Sequence, residues 1–219
     1  MGLAGAVALS LFDELDVVFG PAALADALFY RHSPALRFEL EGGKTYIAQF
    51  LQAVDRARTV LNVAFAGMEA VTAVLGVWGD DPPAQLWATA EAALHELGIK
   101  LPAPELSASE LPTPETRVLH GEEDTQVLFA FTLSTARLPE LLWGSLAADL
   151  GIFPQLRGRL WLAAPELGLL ACPYDSRGMD MIGPNTARLA QLYHQFGDWL
   201  LDHDRARMAE MLSPGSKKP

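Results

Sequence analysis

The sequence has very little cysteine, and its basic residues are outnumbered. Cys172 is the only cysteine among 219 residues, which excludes an intrachain disulfide and a zinc site built from several cysteines. It lies in the apolar run 169–172, where we expect a small buried thiol rather than a nucleophile. The 16 Lys and Arg residues face 27 Asp and Glu residues, so the net charge is −11. Such a charge repels phosphate backbones, and we expect no nucleic-acid partner.

Long apolar runs are also missing. No stretch approaches the roughly 20 apolar residues that a membrane helix requires. The N-terminal region is apolar, but it contains no base before Arg31, and Asp13, Glu14 and Asp16 interrupt it. A secretory signal needs a positive start and an unbroken apolar stretch. We therefore expect a cytoplasmic protein that does not contact a membrane.

No complete catalytic, nucleotide-binding or metal-binding motif occurs. Gly43-Lys44-Thr45 lies between a predicted strand and a predicted helix, as the end of a phosphate-binding loop would. That loop needs a glycine five residues before Gly43, and the sequence has Phe38 there. No Gly-x-Ser-x-Gly elbow is present, and the five histidines form no His-x-x-x-His pair. We therefore predict neither a metal site nor a cofactor.

What the sequence does contain is a series of periodic apolar segments, half of its residues being hydrophobic. We predict strands at 36–40, 70–78, 116–122, 126–133, 159–163, 167–172 and 178–182, and helices at 9–30 (broken at Gly20-Pro21), 45–65, 83–97, 139–150 and 185–211. Because the strands cluster in hairpins, this order predicts an α+β fold: helices cover a largely antiparallel sheet, and a long helix closes the C terminus.

The predicted domain organisation is simple. Residues 1–212 are expected to form a single α+β domain. If it divides into lobes, these are 1–100 and 116–212, joined by the Pro-rich loop 101–115. The polar segment 213–219 is expected to be a disordered tail.

An excess of acidic residues marks the middle of the chain. Residues 59–116 contain eight acids and a single base, Lys100. The simpler interpretation is a solvated face that needs no partner. The functional interpretation is a docking surface for a basic protein. Its candidate binding residues are Asp80, Asp81, Glu91 and Glu96.

Specific polar residues are concentrated in the last third of the chain. A charged turn, 174–180, follows a buried strand, and charged residues recur at spacings of four and three along the predicted last helix. The candidate cluster consists of Tyr174, Asp175, Arg177, Asp180, Asp198, Asp202 and Arg205. Its structural interpretation is an ion-pair network that pins the turn to the last helix. The functional alternative is a small polar site in which carboxylates and an arginine perform acid–base work.

The same residues carry a family resemblance. Tyr174-Asp175-x-Arg177-Gly178-x-Asp180, then Tyr193 and Trp199-Leu200-Leu201-x-x-Asp204-Arg205, resembles the C-terminal pattern of a bacterial family known only as a domain of unknown function. The strand 36–40 and the helix with Arg56 resemble its N-terminal signature. The resemblance implies an α+β domain and a bacterial source, and it brings no established activity. The sequence departs from the family at Ser176, where a second aspartate is common, and at His203, where an aromatic is common.

Three functional hypotheses follow. The first is a non-enzymatic protein-binding module, for example an immunity-type inhibitor that masks a basic protein, because charge complementarity speeds and selects such association. The second is an enzyme or small-ligand binder that uses the C-terminal Tyr/Asp/Arg cluster. It requires that cluster to line an open pocket, and burial with mutual pairing would count against it. The third is an oligomerisation module, which requires an exposed apolar patch of several hundred Å².

Overall fold

One antiparallel sheet organises the part of the chain that the computed structural model describes, residues 9–21, 23–101, 103–109 and 126–213. The strands are β1 Ala35–Glu39, β2 Ala70–Trp78, β3 Glu105–Ser109, β4 Gln126–Ser134, β5 Arg159–Ala164, β6 Leu169–Asp175 and β7 Gly178–Ile182. Their order in the sheet is β1-β7-β6-β5-β2-β4-β3, and every neighbouring pair is antiparallel. The predicted α+β fold class is therefore confirmed.

Most α-helices in these residues begin and end close to the residues that the sequence predicts. They are α1 Leu11–Phe19, α2 Leu28–Arg31, α3 Tyr46–Ala64, α4 Pro83–Glu96, α5 Leu138–Leu150, α6 Thr186–Gln195 and α7 Arg205–Leu212. The Thr45 hydroxyl accepts a hydrogen bond from the Ala48 N–H at 3.2 Å and caps α3. Gly151 ends α5 with a φ of 65°. No helix in the described ranges is both long and apolar enough to cross a membrane.

Helices cover both faces of the sheet. On one face Trp87 of α4 packs on Phe129 of β4, and Phe50 of α3 meets Trp143 of α5 edge to face at 4.5 Å between ring centroids. α1 and α2 cover the other face, where the Phe29 N–H of α2 donates to Asp180 of β7. Because both faces are covered, the central strands are buried almost throughout their length.

The segment that we predicted as one long helix, 185–211, is divided where it passes the edge of the sheet. A C-terminal helix is present, but α6 ends at Gln195, and 3₁₀ turns at Gly197–Trp199 and Asp202–Asp204 separate it from α7. Between the turns Leu200 forms a β-bridge with Phe38, and the Leu201 N–H donates to the Arg37 carbonyl at 3.0 Å. The chain therefore covers the edge of β1, which would otherwise present unpaired backbone groups.

The Pro-rich segment 101–115 also differs from the prediction of a loop. Glu105–Ser109 form β3, which pairs with β4 and extends the sheet. Strands β1–β3 come before residues 110–125 in the chain and β4–β7 come after them, and all seven strands belong to the same sheet. The strand predicted at 116–122, the rest of the Pro-rich segment from 110 onward, and the tail after Ser213 lie outside the described residues.

Candidate functional site

Arg37 lies at the centre of a largely buried ion-pair cluster. It stands on β1 opposite Asp180 of β7 in the sheet register. Its Nε donates to Asp180 Oδ1 at 2.7 Å and its Nη2 to Oδ2 at 3.0 Å, the two-pronged geometry that suits a guanidinium and a carboxylate. Nη1 donates to Asp204 Oδ2 at 3.3 Å. The Tyr30 hydroxyl lies 3.4 Å from both carboxylate oxygens of Asp204. We call these residues, with Phe29 and Tyr174, the Arg37 cluster.

Aromatic rings enclose the Arg37 guanidinium. Its Cζ lies 4.7 Å from the ring centroid of Tyr30, 5.0 Å from that of Phe29 and 5.6 Å from that of Tyr174. A guanidinium over a ring face is attracted to its π electrons, more strongly when water is excluded. The Phe29 N–H also donates to Asp180 Oδ2 at 3.1 Å. Nearly every polar atom of the pair therefore has a partner supplied by the fold.

The charge state of the Arg37 cluster follows from this pairing. Burial lowers the pKa of Arg37, but the hydrogen bonds and charge of Asp180 outweigh burial and hold that pKa above its usual value. The side chains of Arg37 and Asp180 are only 12% and 3% exposed. A permanently charged, closed pair offers neither a proton nor an open face to a substrate, which counts against the enzyme hypothesis at these residues.

Raising the pH above about 10 is expected to weaken the fold through Tyr174. Burial and the nearby charge of Asp180 raise the pKa of this hydroxyl above its usual value. The unfolded chain therefore releases the proton first, and the stability present below about pH 10 is lost as the pH rises, by at most about 1.4 kcal/mol per pH unit. Urea unfolding at pH 9 and pH 11 should show a larger loss for the parent protein than for Tyr174→Phe. Equal losses would contradict this assignment.

Asp175 and Arg177 do not join the Arg37 cluster. They pair with each other across the two-residue turn between β6 and β7, where the Arg177 N–H donates to Asp175 Oδ1 at 2.8 Å and its Nε to Oδ2 at 3.0 Å. Between them Ser176 is buried, donates to Asp149 Oδ2 at 2.7 Å and accepts from Gln49 Nε2 at 3.2 Å. Ser176 thus anchors the turn to α3 and α5, and an aspartate there would face the Asp149 carboxylate.

The three candidates from the last helix lie apart from the turn because that helix is divided. Arg205 donates to Asp202 Oδ1 at 2.7 Å and to the Gly197 carbonyl at 2.7 Å, so it ties the 3₁₀ turns together. The Asp202 side chain is 91% exposed. Asp198 is exposed. The described residues therefore do not form the predicted network between the turn and the last helix. His203, where the family commonly has an aromatic, is exposed.

The predicted candidate cluster lacks Arg37, Phe29, Tyr30 and Asp204, although Asp204 belongs to the C-terminal family pattern and Arg37 to the strand 36–40 of the N-terminal signature. One signal was available for Arg37: it lies between the apolar residues Leu36 and Phe38 in a predicted strand. A charged residue in such a strand needs a buried counterion when both faces are covered. The identity of that counterion depends on the register of β1 and β7, which the local pattern does not contain.

The four candidate binding carboxylates form a separate, exposed acidic surface. Asp80 and Asp81 lie between β2 and α4, and Glu91 and Glu96 lie on α4. All four residues are exposed, and none forms an ion pair with another described residue. We call this set the α4 acidic surface. Its charges are available to a partner.

A family model covers most of the chain. The model named Domain of unknown function (DUF3885) matches residues 11–204. The chain belongs to this family. No curated protein and no solved structure matches the chain.

The DUF3885 match contains all of the Arg37 cluster and all of the α4 acidic surface, and it ends at Asp204. Within the described part of this domain, no group of three or more His, Cys, Asp or Glu side chains is arranged to hold a metal ion. Cys172 is buried, and burial raises the pKa of its thiol, which disfavours the reactive thiolate.

Proposed function

We propose that this DUF3885 protein is a non-enzymatic protein-binding module of the bacterial cytoplasm, and that its partner is a basic protein that it masks, as an immunity-type inhibitor does. The observation that carries the proposal is the α4 acidic surface. Its four carboxylates are exposed and have no cation of their own among the described residues.

The distribution of paired and unpaired acids supports this proposal. Asp180 and Asp204 share the Arg37 guanidinium, and Asp202 pairs with Arg205. The α4 acids have no such partner among the described residues, and a basic surface would supply one on binding. Attraction between opposite charges acts at a distance, so it raises the association rate and selects the partner.

The alternative, an enzyme or small-ligand binder that uses the C-terminal Tyr/Asp/Arg cluster, has less support. Asp180 is 2% exposed and occupied by Arg37. Asp175 is occupied by Arg177. Both carboxylates are thus engaged by arginines, which leaves neither free to act as a general base.

The first experiment is retention of proteins from a native bacterial lysate on the immobilised protein at low and high salt, followed by mass spectrometry. We expect one basic protein at low salt that is lost at high salt. With that partner purified, the quadruple variant D80N/D81N/E91Q/E96Q should associate about tenfold more slowly, with a flatter salt dependence, because steering is lost.

A matched control removes the same charge from other elements. Asp16, Glu166, Asp198 and Glu210 are exposed acids that lie outside the α4 acidic surface. The variant D16N/E166Q/D198N/E210Q has the same net charge as the α4 variant, and it should keep most of the association rate. If both variants slow association equally, net charge alone is responsible, and the α4 acidic surface is not the docking site.

A further inference from the structure

An open apolar groove lies between α3 and α5, on the face of the sheet opposite α1. Its volume is about 580 Å³. The apolar residues that line it are Leu51, Val54, Leu97, Pro139, Trp143 and Pro154, and the charged residues are Asp55, Arg58 and Glu140. Leu97 directly follows Glu96, so the groove adjoins the α4 acidic surface. We call it the α3–α5 groove.

A stripe of apolar residues extends the α3–α5 groove along α3, with two exposed members, Ile47 and Leu51, and the half-buried Val54. Ile47, Leu51 and Val54 recur at i, i+4 and i+7, which places them on one side of the helix. Ile47 is 59% exposed and Leu51 is 52% exposed. Tyr46 at the start of α3 is 76% exposed, and Phe153, next to the lining Pro154, is 72% exposed. Side chains of this size in one region of the surface are typical of an interaction site.

Two polar atoms at the α3–α5 groove have no hydrogen-bond partner among the described residues: Glu140 Oε2 and Trp143 Nε1. The bases nearby are already occupied, because Arg58 pairs with Asp55 at 2.9 Å and Arg137 pairs with Glu140 Oε1 at 3.0 Å. Both atoms are buried, so a partner does not reach them directly. The charge that has no ion pair beside the groove is that of the exposed Glu96, which directly precedes the lining residue Leu97.

We propose that the α3–α5 groove binds an amphipathic helix whose polar side is basic. The apolar side of that helix packs on the α3 stripe and on Trp143, and its bases lie beside Glu96. From Ile47 to Val54 the stripe runs seven residues, about 10 Å or two helical turns at 1.5 Å per residue. A facing helix fits such a stripe with its own i, i+3, i+4 and i+7 residues. The identity of this helix as part of the basic partner rests on the proposed function.

An open groove suits a helix better than a small molecule. Small-ligand pockets bury most of the ligand surface, whereas this groove is bordered by side chains that are themselves more than half exposed, such as Leu51 and Phe153. The net charge of −11 and the exposed Glu96 beside the groove select a basic helix over an acidic one.

A synthetic peptide tests the proposal without knowledge of the natural partner. The probe is an 18-residue Leu/Lys peptide with Leu at i, i+3, i+4 and i+7, and its matched control is the Leu/Glu peptide with the same Leu positions. The readout is the indole N–H signal of Trp143 in nitrogen-15 NMR, assigned by its loss in Trp143→Phe. We expect saturable shifts with the Leu/Lys peptide and at least about tenfold weaker binding of the Leu/Glu peptide.

Leu51→Asp is expected to weaken binding of the Leu/Lys peptide at least about tenfold, because it places a charge in the apolar contact. Leu51 is half exposed, so the variant keeps the fold. The control is Val17→Asp on α1, where Val17 is 74% exposed on the other side of the sheet, and it should bind like the parent. Equal binding by Leu51→Asp and the parent, or no shift of the Trp143 signal, would overturn the proposal. Concentration-dependent dimers that Leu51→Asp abolishes would instead assign the groove to a second copy of the chain.

The two proposals fail in different ways. If the lysate partner binds Leu51→Asp and the parent equally but associates slowly with D80N/D81N/E91Q/E96Q, the acidic surface stands and the groove inference falls. If no basic protein is retained at either salt while the Leu/Lys peptide binds through Leu51, the groove binds a helix but the proposed basic partner is wrong.

Discussion

Asp180→Ala is expected to lower the free energy of unfolding by about 3–5 kcal/mol, because it leaves the Arg37 guanidinium largely buried without its main counterion. Arg37 loses the bonds to Asp180 at 2.7 and 3.0 Å and keeps the longer one to Asp204 at 3.3 Å. The Phe29 N–H loses its acceptor as well. Urea unfolding at pH 7, followed by tryptophan fluorescence and circular dichroism, measures this loss.

The matched control is Asp202→Ala, which also removes a carboxylate from an arginine. The Asp202 side chain is 91% exposed, and water compensates for its loss, so the expected change is within about 1 kcal/mol. The double variant Arg37→Met/Asp180→Leu should recover part of the loss of Asp180→Ala, because it removes the buried guanidinium together with its main counterion, while Asp204 keeps its contact with the Tyr30 hydroxyl. Similar losses for Asp180→Ala and Asp202→Ala would show that the Arg37 cluster does not hold the two strands and the C-terminal segment together.

The sequence predicts strands, helix caps and helix ends well where the residues that decide them are close together in the chain. The apolar, β-branched run 70–78 corresponds to β2, and Thr45 caps α3 as its position before the helix indicates. Gly151 ends α5 with its backbone in the left-handed conformation, which glycine adopts easily because it has no Cβ atom to clash with the backbone. Each of these depends on residues within one or two turns of one another, so a single sequence contains the information.

The candidate site depends on pairings that are distant in the chain. Spacing of three and four residues grouped Asp198, Asp202 and Arg205, and the Asp202–Arg205 pair does form. The counterion of Asp180, however, is Arg37, which is 143 residues away and meets it only through the register of β1 and β7. Helical periodicity likewise could not show that 185–211 must pass the edge of β1, because that requires the strand order.

Ending the chain at Gln195 is expected to lower the free energy of unfolding by about 5 kcal/mol or more. Leu200 and Met208 are each at most 2% exposed, and burial of such side chains contributes about 1.5–3 kcal/mol each. Arg37 also loses Asp204, and its backbone loses both edge partners: the Leu201 N–H, which donates to its carbonyl, and Met208 Sδ, which accepts from its N–H at 3.2 Å. Because small domains are stable by only about 5–15 kcal/mol, much of this chain should be unfolded.

The folded fraction of the truncated chain should also self-associate, because the edge of β1 then presents unpaired backbone groups to a second copy. Urea unfolding and size-exclusion chromatography with light scattering measure the two effects, and a synthetic peptide of residues 196–213 should reverse both. The matched control ends at Ser213 and keeps every described contact of the segment, so it should behave like the parent. A truncated chain that remains monomeric with the parent's stability would show that residues 196–212 neither protect the edge of β1 nor complete the Arg37 cluster.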